Sequence, residues 1–256
     1  MKKLNAEPQD GLFEPWFENE TCSVDAVEVL KEREGGRKLI FDSLVETSLD
    51  HVVGLKAIEK LGGFAMAKHV LKHRVPDEKK ARSGMLGEIL MSEYVQEKTD
   101  YSIPVRRLQY RETRDLAMRG NDGLGFRKAG SRFKVLKIEA KSRLKLATAH
   151  VTKAREGLAQ HRGRPNPETL AYLACHLLSN DRDKEAEPVT FLLNNPIYVK
   201  DVDHLLFTLS GNAPKGFLEA NSDKVQKGID LRLCGLFVSK HKDFVKAVFD
   251  GCMARS

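Results

Sequence analysis

The chain has 256 residues, 41% apolar and 31% charged, enough for one large globular core and outside the compositions of collagen, low-complexity and globally disordered chains. Its four cysteines, Cys22, Cys175, Cys234 and Cys252, form no CxxC pair, and no run of 18 apolar residues occurs; zinc ribbons, disulfide scaffolds and membrane spans are thereby excluded, and a cytoplasmic protein with reduced thiols is expected. The formal charge of +7 is uneven: residues 101–164 hold 17 Lys/Arg against five acids, a local +12 that leaves −5 elsewhere, so a polyanion such as nucleic acid leads the partner classes.

Residues 1–35 read as irregular and acidic, a cap or docking strap whose aromatic cluster around Trp16 and Phe17 is a candidate partner contact. Helical spacing follows from Leu39 to Ile58, so residues 1–80 are expected to form a mostly helical N-terminal region. The next helix is predicted from about Arg82 to Glu97, with apolar residues nearly all round, the pattern of an element buried on several sides. Glu88 sits among them. A carboxylate in such company needs a cation, a metal or an arginine such as Arg119.

Beyond Pro104, strands are predicted at 105–110, 115–126 and 131–143, with 128–131 as the turn of a hairpin. The last strand alternates: Leu136, Ile138 and Ala140 on one face, Lys137, Glu139, Lys141 and Arg143 on the other. A helix with the stripe Ala147, Val151, Ala154 and Leu158 comes next, another runs from Glu168 to Leu178, and 180–187 reads as a polar loop. The run 205–209 is apolar but of uncertain type, 231–238 reads as a buried strand, and 244–249 lies in a terminal helix. The order predicts an α/β core with a mixed sheet over 81–256.

With the hairpin turning at Ala129/Gly130, Asp122 faces Lys137 and lies diagonal to Glu139, so both carboxylates share one face. Two such carboxylates suit a hard divalent cation, Mg²⁺ or Mn²⁺, which phosphodiester hydrolysis requires. The carbonyl of Ala140 is positioned to complete the protein ligands, and Lys141 to orient water or offset phosphoryl charge. Glu88 is a further candidate for the shell or a second metal. Lys137, Arg143, Lys145, Lys153 and Arg155 are the candidate nucleic-acid contacts. His69 and His73, four apart, read as surface residues for want of a third ligand. No GxxxxGK[ST], HExxH or GxSxG motif occurs, so ATP hydrolysis by this chain is not expected.

The blocks Arg82-Ser-Gly-Met-Leu-Gly-Glu-Ile-Leu90, Gly120-Asn-Asp-Gly123 and Ile138-Glu-Ala-Lys141 resemble the HamA family of Hachiman antiphage defence, over roughly residues 80–249. The resemblance implies a restriction-endonuclease-like PD-(D/E)XK core and a metal-dependent DNA nuclease controlled by a helicase partner, HamB. It places Glu88, Asp122, Glu139 and Lys141 at the family's acidic and lysine positions, with Asn121 where the superfamily's name has proline. The rival expectation is a non-catalytic nucleic-acid-binding adaptor of a helicase complex; a third is a scaffold whose basic segment binds an acidic protein.

Overall fold

A computed structural model describes residues 11–110, 120–223 and 227–255. A short helix Phe13–Trp16 (α1) leads into strands Phe17–Glu20 (β1) and Val27–Glu32 (β2), then helices Gly36–Val52 (α2), Leu55–Lys60 (α3), Phe64–Arg74 (α4) and Lys79–Lys98 (α5). The hairpin Gly123–Ala129 (β3) and Arg132–Arg143 (β4) comes next, then helices Thr148–Ala159 (α6), Pro167–Leu178 (α7) and Asp183–Asn194 (α8). Strand Val202–Ser210 (β5), helix Lys215–Glu219 (α9), strand Asp230–Phe237 (β6) and helix His241–Ala254 (α10) complete the described chain.

The strands form one mixed sheet in the order β1-β2-β6-β5-β4-β3. Its four inner strands run parallel and its two outer pairs are antiparallel. Both faces are covered, which is how a parallel sheet avoids water. On one side α5, α2 and α10 pack over Leu136, Ile138, Phe207 and Leu236. On the other, α6 and α9 cover Leu206 and Leu233, and α7 and α8 cover Leu124, Phe126 and Val135. The multi-sided burial expected of the second helix is realised in α5, where Met85, Leu86, Ile89, Leu90, Met91, Tyr94 and Val95 are all buried. Gly87 lets it approach closely: a Cβ there would lie 3.0 Å from the Cβ of Ser142 on β4.

Several expectations need correction. The first 35 residues are not a strap over the core: β2 pairs in parallel with β6, Val27 opposite Leu233, so this segment forms one edge of the sheet. Trp16 and Phe17 are 0% and 3% exposed, which removes them as partner contacts. Trp16 instead donates its indole N–H to Glu32 at 2.9 Å and packs edge-on against Phe244 of α10. The core that holds Trp16 also holds α5 and α10 residues, so the segment before residue 80 shares one interior with helices and strands beyond it.

The strand expected at 105–110 is a 3-10 helix, Arg107–Tyr110. The free edge of β3 is met instead by a single bridge, Ser102 to Phe126, after which Pro104, lacking a donor, cannot extend the ladder. The strand expected at 115–126 starts at Gly123, and 111–119, Arg119 included, lie outside the described residues. The expected loop 180–187 turns into α8 at Asp183; Asp183 and Glu185 suit a helix start, and Ala186, Val189 and Leu192 bury one face. The apolar run 205–209 is the middle of β5, an inner strand covered on both faces. No helix among the described residues is long and apolar enough to cross a membrane.

One buried titratable group makes stability depend on acid. His241, at the start of α10, is 2% exposed, its Nε2 lies 3.1 Å from Ser142 Oγ, and burial pushes its imidazole down from 6.5 to about 4. Below pH 6.5 the unfolded chain takes up a proton that the folded chain refuses until about pH 4. Stability present at neutral pH is therefore lost across that window, by about 1.4 kcal/mol per pH unit for one proton. The melting temperature is expected to fall more steeply between pH 6.5 and 4 in the parent than in His241→Gln; parallel profiles would exclude His241 as the group.

Candidate functional site

The β3–β4 hairpin turns at Gly130-Ser131, where Gly130 has φ 62 and supplies the conformation that a two-residue hairpin turn requires. Gly123 pairs with Ile138 and Ala129 with Arg132, a register two residues from the expected one. A two-residue shift keeps every side chain on its expected face. Asp122, the next residue back, thus comes level with Glu139 rather than Lys137.

The loop before β3 is fixed from three sides. Gly120 has φ 95, and a Cβ there would collide with Thr169 Oγ1 on α7. Asn121 is 6% exposed and its Oδ1 accepts the backbone N–H of Asn166, the residue capping α7, at 2.9 Å. A Cβ on Gly123 would press on Met91 of α5 at 2.9 Å. Thus Gly-Asn-Asp-Gly is a clamp between α5, α7 and the sheet that delivers one carboxylate. Sequence reading missed the parts of Gly120 and Asn121. The signal was present in Asn166-Pro167, a cap followed by proline at the first helical position.

Asp122 Oδ2 accepts the N–H of Ala140 at 2.9 Å. The ammonium of Lys141 then sits among three oxygens: Glu139 Oε1 at 2.5 Å, the carbonyl of Ala140 at 3.1 Å and Asp122 Oδ2 at 3.8 Å. Asp122, Glu139 and Lys141 are 26%, 18% and 19% exposed in their side chains, so the cluster is reachable from solvent yet largely shielded. Burial raises the proton affinity of Glu139, and the nearby Asp122 raises it further, against the opposing pull of Lys141 and Lys137. Helix α6 crosses directly over this carboxylate: a Cβ on Gly157 would lie 3.1 Å from Glu139 Cδ.

These three oxygens are the set expected to hold a divalent cation, and here they converge on a cationic nitrogen. Two carboxylates with a carbonyl are hard oxygen donors of the kind that Mg²⁺ and Mn²⁺ favour. Among the described residues no three His, Cys, Asp or Glu side chains gather as a metal site. Glu88 lies on α5, beside this cluster. It is half-buried and lines, with Asp122, His51, Ser92 and Thr169, a neighbouring cavity of about 20 Å³, room for roughly one water.

Lys137 is not a nucleic-acid contact: it is 1% exposed. Its face of β4 is covered by α6, and its amine donates to the carbonyls of Leu158 and Gln160 at 2.9 and 2.8 Å. Burial lowers its pKa to about 8, with Glu139 opposing. Of the other candidate contacts, Lys145 and Lys153 are exposed and Arg143 and Arg155 half-buried. His69 and His73 are exposed on α4.

The HamA family model matches residues 11–252. The match starts well before the first motif block at Arg82 and so takes in β1, β2 and α2. The chain is also similar to the Hachiman protein HamA of Bacillus cereus, 27% identical over 188 residues that cover 73% of this chain and 65% of that protein. It thus spans just under two thirds of the length of that curated relative.

Proposed function

The chain belongs to the HamA family, and from that premise we propose that it is a divalent-metal-dependent DNA nuclease of a Hachiman antiphage defence complex, acting in the cytoplasm under a helicase partner. The reading rests above all on the convergence of Asp122, Glu139 and the Ala140 carbonyl on one positive charge. An acid heading one strand of a hairpin, acid-x-Lys on the next and a covering helix upstream are also the parts of a PD-(D/E)XK-like core.

Asp122, Glu139 and the carbonyl of Ala140 would hold Mg²⁺ or Mn²⁺. The ion would supply Lewis acidity toward a phosphoryl oxygen and a more acidic water. The protein's own groups do the rest. Asp122 is oriented by the Ala140 N–H, which fixes Oδ2, the oxygen that faces the Lys141 ammonium, before substrate arrives. With those oxygens holding the ion, the Lys141 ammonium would move off them toward the substrate and offset charge that grows on the phosphoryl group. Gly157 keeps α6 against Glu139 and excludes water from that side.

The test is incubation of plasmid and linear DNA with the purified chain and Mg²⁺ or Mn²⁺, with and without the helicase partner. Cleavage that stops with chelator and is absent from Glu139→Ala/Lys141→Ala is expected. No cleavage under any condition, with DNA binding intact, would favour the adaptor reading. A subtler variant probes the fit of α6. Gly157→Ala places a methyl in tight contact with the Glu139 carboxylate while improving helix propensity by about 1 kcal/mol. A higher melting temperature with roughly tenfold slower cleavage is expected; an unchanged rate would show that the position of Glu139 is not constrained by α6.

A further inference from the structure

At the carboxyl end of β4 lies a groove of about 380 Å³, bounded by the first turns of α5 and α10. Lys79, Lys80, Arg82, Arg143, Lys242 and Lys246 line it, against only Asp77 and Asp243. Three of these cations have local partners: Arg82 donates to the Pro76 carbonyl, Arg143 to the Ser142 carbonyl and Lys246 to Asp250. The amines of Lys79, Lys80 and Lys242 are exposed, and among the described residues none forms a hydrogen bond or ion pair. Two hydroxyls, Ser83 and Ser142, lie 2.7 Å apart on the floor, backed by His241.

These charges are badly placed for the fold itself. The start of α5 carries Lys79, Lys80 and Arg82 with Glu78 at its N-cap position and no acid in its first turn, α10 sets Lys242 beside Asp243, and neither helix has a side-chain cap. Cations at a helix start oppose its dipole and weaken the helix. The acids beside these helix starts, Asp77, Glu78 and Asp243, are outnumbered by the cations, and an excess of one charge that the fold does not balance marks positions suited to a ligand. The ligand that repairs all of it is an anion, drawn by the ammonium groups and the free backbone N–H groups alike. Carboxyl ends of parallel strands are also where open α/β sheets bind their ligands.

We propose that this groove binds the phosphodiester backbone of the nucleic-acid strand that reaches Glu139 and Lys141. The assignment rests on the nuclease reading and extends it to a second surface, distinct from the basic face of α6. Arg143 joins the two, since it lies on β4 only two residues beyond Lys141, about 7 Å along the strand. Ser142 faces α5 while Glu139 and Lys141 face the α6 side, so a long polyanion seated at Lys141 reaches the groove by passing Arg143 round the carboxyl end of β4, a span that a small anion cannot cover.

The experiment is fluorescence anisotropy with labelled single- and double-stranded oligonucleotides, in chelator so that cleavage plays no part, over a range of salt. Lys79→Ser/Lys80→Ser/Lys242→Ser is compared with the parent and with Lys145→Ser/Lys153→Ser. At physiological salt the triple variant is expected to bind about tenfold to a hundredfold more weakly, with a log–log salt slope smaller by about two to three. Lys79→Glu/Lys80→Glu, which suits the helix dipole, is expected to fold at least as stably and to bind more weakly still. Unchanged affinity and slope in both groove variants, with the parent binding well, would overturn the groove alone. A parent that binds no nucleic acid would remove the nuclease reading and the groove with it. Loss of helicase-partner binding with DNA binding intact would overturn the groove in favour of an acidic protein segment.

Discussion

Replacing Glu139 by Gln is expected to lower metal-dependent DNA cleavage by about 10³-fold while raising the melting temperature of the metal-free protein. The two effects share one cause. Burial and the neighbouring Asp122 together raise the proton affinity of Glu139, outweighing Lys141 and Lys137. A group whose folded pKa is raised favours folding below its unfolded pKa, and that contribution is lost as pH rises through the folded value. At neutral pH the charged Glu139 is thus a burden on the fold, and a neutral isostere relieves it. Gln keeps the shape and still accepts a hydrogen bond from Lys141, but it no longer offers the anionic oxygen. The stability gain is expected to shrink as pH falls toward the carboxylate range. A variant that cleaves at the parent's rate would remove Glu139 from the chemistry. One that melts lower at every pH would show that its charge is an asset to the fold.

Lys137→Met is expected to cost about 2 kcal/mol and to leave the salt dependence of DNA binding unchanged. Met fills a similar volume, so the loss comes from the carbonyls of Leu158 and Gln160, which surrender their donor; each buried acceptor left unpaired costs about 1–3 kcal/mol, offset in part because a buried ammonium no longer has to be desolvated. These carbonyls lead into a turn where His161 and Arg162 both take φ 56, a conformation that only surrounding contacts maintain. Beyond it, Gly163 offers its carbonyl to the buried His204 at 2.8 Å. Two buried basic side chains thus hold the exit from α6, and through it the helix that backs Glu139. A drop in melting temperature of several degrees is expected for a chain of this size. A salt slope smaller by about one, with stability unchanged, would instead return Lys137 to the phosphate contacts.

Local periodicity carried most of the elements that could be read from the sequence. The all-round apolar pattern of α5, the alternation of β4, the stripe of α6 and the late strand β6 each announce themselves within a dozen residues. So does the acid, hairpin, acid-x-Lys arrangement, whose parity survived a register error because the shift was two residues and not one. The remainder depended on partners distant in the chain. β1 and β2 are short, and β2 is held by β6 some two hundred residues away, so nothing local marks them as sheet. Lys137 alternates like a solvent-facing residue, and only the docking of α6 turns that face inward. The groove was invisible to a charge count along the sequence, because its cations come from the starts of α5 and α10 and from one residue of β4.

The most direct test of the site is Mn²⁺ binding, monitored by calorimetry and electron paramagnetic resonance, to the parent, Asp122→Asn and Glu139→Gln. If the oxygens that now surround the Lys141 ammonium form the seat of a divalent cation, the parent binds Mn²⁺ there and each substitution weakens that binding tenfold or more, about 1.4 kcal/mol. Equal affinity in all three proteins, or no binding in the parent, would contradict it.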